Sequence, residues 1–328
     1  MSPMKDPHPK RKPFMKSLIN LLTRTWPVRR SLLTEKEKVS QMLCFSRHVY
    51  GNVPLIPAPL NFLESAVSKE TAPTLKTSSL LKTSSFPPET PISSDKPLPA
   101  GWRVVNEAER EKLGLGALQL TDEHSGFNSQ LYQQSNTGHF IYALQGTNLT
   151  EVNDWLNNIL QGGGFEADQY KLAMENGKLL VAQLGRENLE FTGHSLGGGL
   201  AAALATVTEI KCITFNAAGV HANTLKKYNK TFEDARLWVI NYYIPGEILT
   251  FLQVKTLMPD AIGIQKELPA PLLTPNQVGR PTAEWNLFEM VNKLKTYLSN
   301  YTEEEKQIFA ERLRRHLIPA LEEAVESM

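Results

Sequence analysis

Short apolar runs alternate with helical stretches along residues 188–244 of the 328-residue chain. The runs NLEFT, IKCITFN and RLWVINYYI have the length and composition of buried β-strands. Between the first two lies GGGLAAALATV, whose small and apolar residues predict a helix that packs closely on a sheet. Because strands that alternate with helices usually pair in parallel, the pattern predicts an α/β fold with a mostly parallel central sheet flanked by helices.

The residues before this region predict a hairpin and two helices. SQLYQQ and HFIYALQG are strand-like runs on either side of a turn at residues 136–138 (NTG), which is the pattern of a β-hairpin. Helical periodicity covers residues 151–160 and 167–184.

Two capping-box patterns mark further helices. Thr34 with Glu37 three residues later opens a predicted helix over residues 34–50. Thr302 with Glu305 opens a predicted C-terminal helical stretch in the same way.

The N-terminal residues differ from the rest in charge. Residues 1–30 carry eight Lys/Arg and a single acid, Asp6. Their apolar stretch SLINLL is too short for a secretory signal, and no small-residue cleavage site follows. Any export is therefore expected to use a signal-peptide-independent route, the alternative being a cytoplasmic protein. Five residues lie on one stripe of a basic amphipathic helix that either lies on an anionic membrane surface or docks on its own domain: Met15, Leu18, Ile19, Leu22 and Trp26.

Composition divides the chain and excludes some functions. A formal net charge of +1 argues against a polyanion binder, so no nucleic-acid partner is expected. Cys44 and Cys212 are too few for a disulfide framework and are predicted to be small buried thiols.

The sequence predicts four segments. They are a basic N-terminal segment, disordered or helical (1–33), a first helix packing on the core (34–63), a Ser/Thr/Pro-rich insertion with two copies of LKTSS (64–98), and the α/β domain (99–328).

Residues 193–197 (GHSLG) fit the pattern G-x-S-x-G between an apparent strand and a helix. A turn this sharp holds the serine in a strained conformation, and side chains at the two flanking positions would clash with the strand and the helix. Ser195 is therefore predicted to be a nucleophile whose hydroxyl projects, accessible, above the C-terminal edge of the sheet. The alternative is a glycine-rich turn, but no G-K-[ST] follows as a P-loop would require.

A serine nucleophile needs a base, and in this fold class the chain order is serine, acid, histidine. Of seven histidines only His221 and His316 follow Ser195, and the one acid between residues 195 and 221 is Glu209, at the far end of a helix. His316 is therefore the predicted base. Pro319 disfavours helical geometry at the residue before it, so a helix break near 316–319 is expected to free the imidazole.

The predicted acid is Glu247, which follows the strand-like run RLWVINYYI and the dipeptide Pro-Gly. A carboxylate at this place lies on the same rim of the sheet as Ser195. Asp260 is the alternative acid. For the oxyanion hole, the N–H of Leu196 is one predicted donor. The loop of residues 145–147 (QGT), directly after the strand FIYAL, is predicted to supply the other, at Thr147.

Several stretches of the sequence resemble a known family of lipases. YALQGTNLTEVNDWLNN followed by EFTGHSLGGGLAAALA resembles the class 3 lipases of the α/β-hydrolase fold, in which a strand leads to a GT-type oxyanion loop, a D-W helix and GHSLGG. VSQMLCFSRHVYG, TFNAAGVH and YIPGEILT resemble that family's first helix, the strand after the nucleophile helix and the acid-bearing loop. More narrowly, GWRVV, SGFNSQLY and a late histidine resemble bacterial phospholipase-type toxin effectors, which use specialised secretion systems and are often neutralised by an immunity protein.

The resemblance implies Ser195 as nucleophile, His316 as base, and Thr147 and Leu196 as oxyanion donors. The sequence departs from the family at the acid, where many class 3 lipases have Asp and this chain has Glu247. The late histidine also lies outside the usual lipase motif, and the 64–98 insertion has no counterpart.

The sequence thus predicts a serine ester hydrolase that acts on lipid, an A-type phospholipase secreted as a bacterial effector. The expected partners are a phospholipid or other lipid ester, a membrane surface bound peripherally and an immunity protein. The mechanism requires no metal or organic cofactor. The alternatives are a non-catalytic relative that binds lipid or protein, and a neutral-lipid lipase. The apolar-rich stretch 248–273 is either a lid or acyl-binding wall, or ordinary core and loop.

Overall fold

The structure is a computed structural model, and it describes residues 33–51, 97–146, 164–255, 258–270 and 303–328. The strands are β1 Trp102–Val104, β2 Thr121–Asp122, β3 Phe127–Gln134, β4 Phe140–Leu144, β5 Leu189–His194, β6 Cys212–Phe215, β7 Val239–Tyr243 and β8 Ile264–Glu267. The helices are α1 Glu35–His48, α2 Glu107–Lys112, α3 Gly164–Leu184, α4 Leu196–Thr208, α5 Ala222–Lys226, α6 Phe232–Trp238, α7 Ile248–Lys255, α8 Glu303–His316 and α9 Ile318–Glu326.

A mixed sheet runs through the described part of the chain in the order β1-β3-β4-β5-β6-β7-β8, with β2 paired to β3. Strands β1, β3 and β4 are antiparallel, and β4 to β8 are parallel. The register sets His194 opposite Phe215 and Phe215 opposite Tyr242. The C-terminal ends of β5, β6 and β7 therefore lie side by side, and the loops that follow them share one rim of the sheet.

Each face of the sheet is covered by helices. On one face α3, α4 and α6 pack on apolar strand residues such as Tyr142 and Phe191. On the other face α1 and α9 pack on Ile141, Phe215 and Tyr242. Alternate residues of a strand point to opposite faces, so β4, buried along its whole length, contributes to both layers.

Helix α1 shows why the sequence around residue 40 is helical. Acidic residues lie in its first turn and basic residues in its last, which complements the helix dipole. Its buried residues recur at a spacing of three and four, so they form one stripe that faces the sheet: Val39, Met42, Leu43 and Ser46.

The predicted α/β-hydrolase architecture is confirmed by this strand order, with parallel strands between helical layers and a sharp strand-to-helix turn at Ser195. The predicted hairpin is β3 and β4. The strand prediction is wrong for residues 236–238 (RLW), because these residues end α6, and the strand begins at Val239. Thr231 caps that helix by accepting the Asp234 N–H, while the Asp234 carboxylate accepts the Thr231 N–H.

Several predictions fall outside the described residues. They concern the basic N-terminal segment up to residue 32, nearly all of the 64–98 insertion, the helix at 151–160 and the Thr302 cap. Within 248–273, the described part forms α7 and β8, and Leu249, Leu252 and Leu268 are buried, as the core alternative predicts. Among the helices that the structure describes, none has both the length and the apolar character of a membrane span.

Candidate active site

Ser195 occupies a strained turn between β5 and α4. Its backbone has φ 58° and ψ −129°, a conformation that residues other than glycine rarely adopt. The flanking glycines make the turn possible by close approach. A Cβ on Gly193 would overlap the carbonyl oxygen of Gly197, and a Cβ on Gly197 would overlap the carbonyl oxygen of Leu144 in the neighbouring strand β4. The turn thus sets the serine directly above the end of its strand.

His316 lies at the end of a helix, as the position of Pro319 predicts. Helix α8 ends at His316, Leu317 is extended with ψ 152°, and α9 begins at Ile318. The break at Leu317 thus lies within the predicted range of residues 316–319, although Ile318 already belongs to α9, whose first turn accommodates the proline. The imidazole Nε2 lies 3.0 Å from the Ser195 Oγ.

Glu247 is held by a tight turn and by a helix N-terminus. The Glu247 N–H donates to the Ile244 carbonyl across Pro245 and Gly246, and Gly246 has φ 76°, as a type II turn requires. The carboxylate then accepts the Leu249 N–H at 2.8 Å and both the N–H and the hydroxyl of Thr250, which lie in the first turn of α7. Its Oε2 also accepts the His316 Nδ1–H at 2.7 Å.

The structure therefore brings together the three side chains that the sequence singled out. Asp260, the alternative acid, is exposed, and its backbone carbonyl accepts the Val220 N–H. His221, the other late histidine, is also exposed and caps α5 through a bond from the Asn223 N–H to its Nδ1. Among the described residues, the carboxylate that contacts the His316 ring is that of Glu247.

The expectation that the Ser195 hydroxyl is accessible is wrong for this structure. Ser195 and Glu247 are 0% exposed and His316 is 1% exposed. The Ser195 hydroxyl is therefore buried in this structure.

The predicted oxyanion donors lie at the start of α4 and in the loop after β4. Leu196 is the first residue of α4, so its N–H is one of those without a partner inside the helix. The Gly146 N–H, from the loop expected to supply the second donor, is bonded to the Tyr50 hydroxyl at 3.1 Å. Thr147, the other predicted donor, lies outside the described residues.

Sequence reasoning missed several polar residues that surround the three side chains. His194 and Asn216 bond to the backbone carbonyl of His316, and Tyr50 bonds to His194. Arg312 and Arg315 of α8 donate to the carbonyls of Gly246 and Pro245 at 3.0 and 2.9 Å. The sequence could have identified Asn216 and His194 as candidate site residues, since each is a polar residue at the end of an apolar strand on the same rim of the sheet. Within the described residues, no group of three or more His, Cys, Asp or Glu side chains is placed to share a metal ion.

Sequence comparison with known proteins supports the predicted resemblance to phospholipases. The model of the family described as "Phospholipase-like: Tle-like phospholipase domain" matches residues 89–274. An "Extracellular phospholipase A1" of Serratia liquefaciens is 37% identical over 170 residues, which cover 50% of this chain and 52% of that protein. The match thus spans about half the length of this curated relative.

Solved structures give weaker likenesses. Lipase II from Rhizopus niveus superposes with a TM-score of 0.38 and 11% identity over 67% of this chain and 77% of its own. A point mutant of MDLA from Penicillium cyclopium superposes with a TM-score of 0.38 and 12% identity, over 73% of this chain and 82% of its own. Both TM-scores are low, so the fold assignment rests on the strand order and on the turn at Ser195. The family model covers more than half of the chain, and the chain belongs to the family of Tle-like phospholipase domains.

Proposed function

We propose that this chain is a serine-dependent phospholipase of the A type, with Ser195 as nucleophile, His316 as base and Glu247 as acid. The observation that supports it is the continuous line of contacts from the Ser195 hydroxyl through the imidazole to the buried carboxylate, at 3.0 and 2.7 Å. Because the carboxylate occupies Nδ1–H, the Nε2 lone pair is left to face the serine.

The proposed reaction is acyl transfer. His316 Nε2 takes the Ser195 proton as the hydroxyl oxygen forms a bond to the carbonyl carbon of an ester. The resulting oxyanion is stabilised by the Leu196 N–H and by a second donor for which we propose Thr147. When the intermediate collapses, the ester C–O bond breaks and the imidazolium returns its proton to the leaving alcohol. Water then attacks the acyl-serine by the same route in reverse and releases the fatty acid.

We propose a phospholipid substrate, because the family is one of phospholipase domains and the Serratia relative is a phospholipase A1. We also propose that the protein is secreted, since that relative is named extracellular. We further propose a signal-peptide-independent route and an immunity protein, because of the resemblance to toxin effectors, and peripheral membrane binding, because of the basic amphipathic pattern of residues 14–26.

The test compares wild type with Ser195→Ala on vesicles of mixed phospholipids, with the products read by mass spectrometry. We expect wild type to release fatty acid and lysophospholipid, and the variant to lose activity by a factor on the order of 10⁶. Ser135→Ala, at an exposed hairpin serine, is the matched control and should keep full activity.

Each alternative has its own result. A neutral-lipid lipase would cleave triacylglycerol and leave the phospholipids intact. A non-catalytic relative would show no Ser195-dependent release and no labelling of Ser195 by a fluorophosphonate. Either result would overturn the proposed phospholipase.

A further inference from the structure

The backbone carbonyl of His316 accepts two side-chain hydrogen bonds. His194 Nε2 lies 2.7 Å from it, and Asn216 Nδ2 lies 3.2 Å from it. In a continuous helix this carbonyl would accept the N–H four residues further on, but α8 ends here. The break that frees the imidazole therefore also frees the carbonyl, and the two side chains replace its helical partner.

His194 is held in the tautomer that this contact needs. The Tyr50 hydroxyl accepts the Gly146 N–H at 3.1 Å, so its own proton is available for His194 Nδ1, 3.0 Å away. With Nδ1 accepting, the ring N–H is on Nε2 and donates to the His316 carbonyl. Burial, together with the nearby His316, lowers the pKa of His194 to about 3, so the ring stays neutral across the physiological range.

Asn216 links the loop of the base to the loop of the acid. It directly follows β6 and has φ 40°, a left-handed conformation that asparagine tolerates better than most residues. Its Oδ1 accepts the Ile244 N–H at 3.0 Å, three residues before Glu247. Its Nδ2 donates to the Arg315 carbonyl at 3.0 Å as well as to that of His316. One buried amide therefore contacts both loops.

We propose that His194 and Asn216 are positioning residues, which hold the His316 imidazole between Ser195 and Glu247 by binding the backbone carbonyl of His316. This inference rests on the proposed function. Both side chains are almost fully buried, at 1% exposure each, so they act through His316 and not through contact with substrate.

The imidazole has little tolerance for movement. Its two nitrogens make bonds of 3.0 and 2.7 Å to opposite partners, and a shift of about 1 Å would lengthen at least one of them beyond hydrogen-bonding range. Displacements of this size typically cost on the order of 10²-fold in rate. Because the displaced group acts in the chemical step, the loss is expected in kcat, with KM unchanged.

Two substitutions with matched controls test the inference. Asn216→Gly keeps the left-handed backbone available but removes the amide, and it should lower kcat by about 10- to 100-fold. Asn229→Gly is its control, because Asn229 is also left-handed, with φ 56°, but is exposed. His194→Leu should lower kcat similarly, whereas His194→Gln, whose amide can donate from nearly the same place, should recover at least a tenfold part of that loss. His48→Gln is the control for a histidine that contacts a tyrosine hydroxyl elsewhere.

A second readout separates failure of this inference from failure of the proposed function. In wild type the His316 Nδ1 proton lies buried against Glu247 and should exchange slowly with water by proton NMR; in Asn216→Gly and His194→Leu it should exchange faster. This measurement needs no turnover, so it reports on the positioning even if Ser195-dependent hydrolysis is absent. Wild-type kcat in folded Asn216→Gly and His194→Leu, a loss confined to KM, no recovery with His194→Gln, or unchanged proton exchange would each overturn the inference.

Discussion

Replacing Glu247 by Gln keeps the shape of the acid and removes its charge. Every hydrogen bond that the carboxylate makes is one that it accepts, so the new amide nitrogen must face a donor wherever it lies. At the Oε1 position it opposes the Thr250 N–H. At the Oε2 position it opposes the Leu249 N–H and forces the His316 proton from Nδ1 to Nε2, where the ring can no longer accept from Ser195.

The expected loss of kcat comes from the lost negative charge, and the expected loss of stability comes from the lost hydrogen-bond acceptor. In the transition state the imidazolium and the carboxylate are separated by about 4 Å between charge centres, which at an effective dielectric constant of about 20 is worth about 4 kcal/mol. Losing it should lower kcat by about 10³-fold, since each 1.36 kcal/mol is tenfold. One buried donor left without an acceptor should also lower the free energy of unfolding by about 1–3 kcal/mol.

The assay is steady-state hydrolysis of a soluble chromogenic ester, with urea unfolding on the same samples. Asp260→Asn is the matched control, because Asp260 is the other acid considered and its side chain is exposed. It should leave both kcat and the unfolding midpoint unchanged. The assignment of the acid would be wrong if Glu247→Gln kept more than a tenth of wild-type kcat, or if Asp260→Asn lost as much.

Three further predictions concern stability. The pKa of His194 is about 6.5 in the unfolded chain but about 3 in the folded protein, so the free energy of unfolding should fall by about 1.4 kcal/mol per pH unit as the pH drops from about 6.5 towards 3. Over the same range the urea midpoint of His194→Gln should fall less, and equal slopes for the two proteins would contradict this. Ser195→Gly should be more stable than Ser195→Ala by about 1 kcal/mol, because glycine relieves the positive φ; equal urea midpoints would speak against strain. Gly197→Ala should lose at least about 2 kcal/mol by thermal unfolding, since its methyl group overlaps the Leu144 carbonyl, and an unchanged melting temperature would refute the overlap.

The parts of the site that the sequence could predict each have a local signal. The glycines around Ser195 mark a turn too tight for side chains, Pro319 marks a helix break beside His316, and Pro-Gly marks a turn before Glu247. Ser195 and Glu247 follow predicted parallel strands, and His316 lies at a predicted helix break. The three side chains are therefore expected to lie close together at the C-terminal rim of the sheet. The strand prediction is wrong for residues 236–238 because the apolar run continues without interruption from the end of α6 into β7.

The hydrogen bonds around these three side chains cannot be predicted from any short stretch of the sequence. The bond from His194 to the His316 carbonyl joins residues 122 positions apart, and the one from Tyr50 to His194 spans 144. Such pairs depend on which helix covers which strand, and that depends on how the two apolar layers divide the helices between them. The burial of Ser195 likewise arises from residues packed around the turn, which the pattern G-x-S-x-G does not specify.

The wide separation of Ser195 and His316 along the chain has a consequence during synthesis. The nucleophile and the acid leave the ribosome well before the base, which lies 121 residues after the serine. A nascent chain that has emerged only through α7 contains Ser195 and Glu247 but not His316, the base that takes the serine proton in the proposed mechanism. Under the proposed mechanism, unfinished chains cannot attack the lipids of the cell that is translating them, and premature termination before residue 316 yields an inert product.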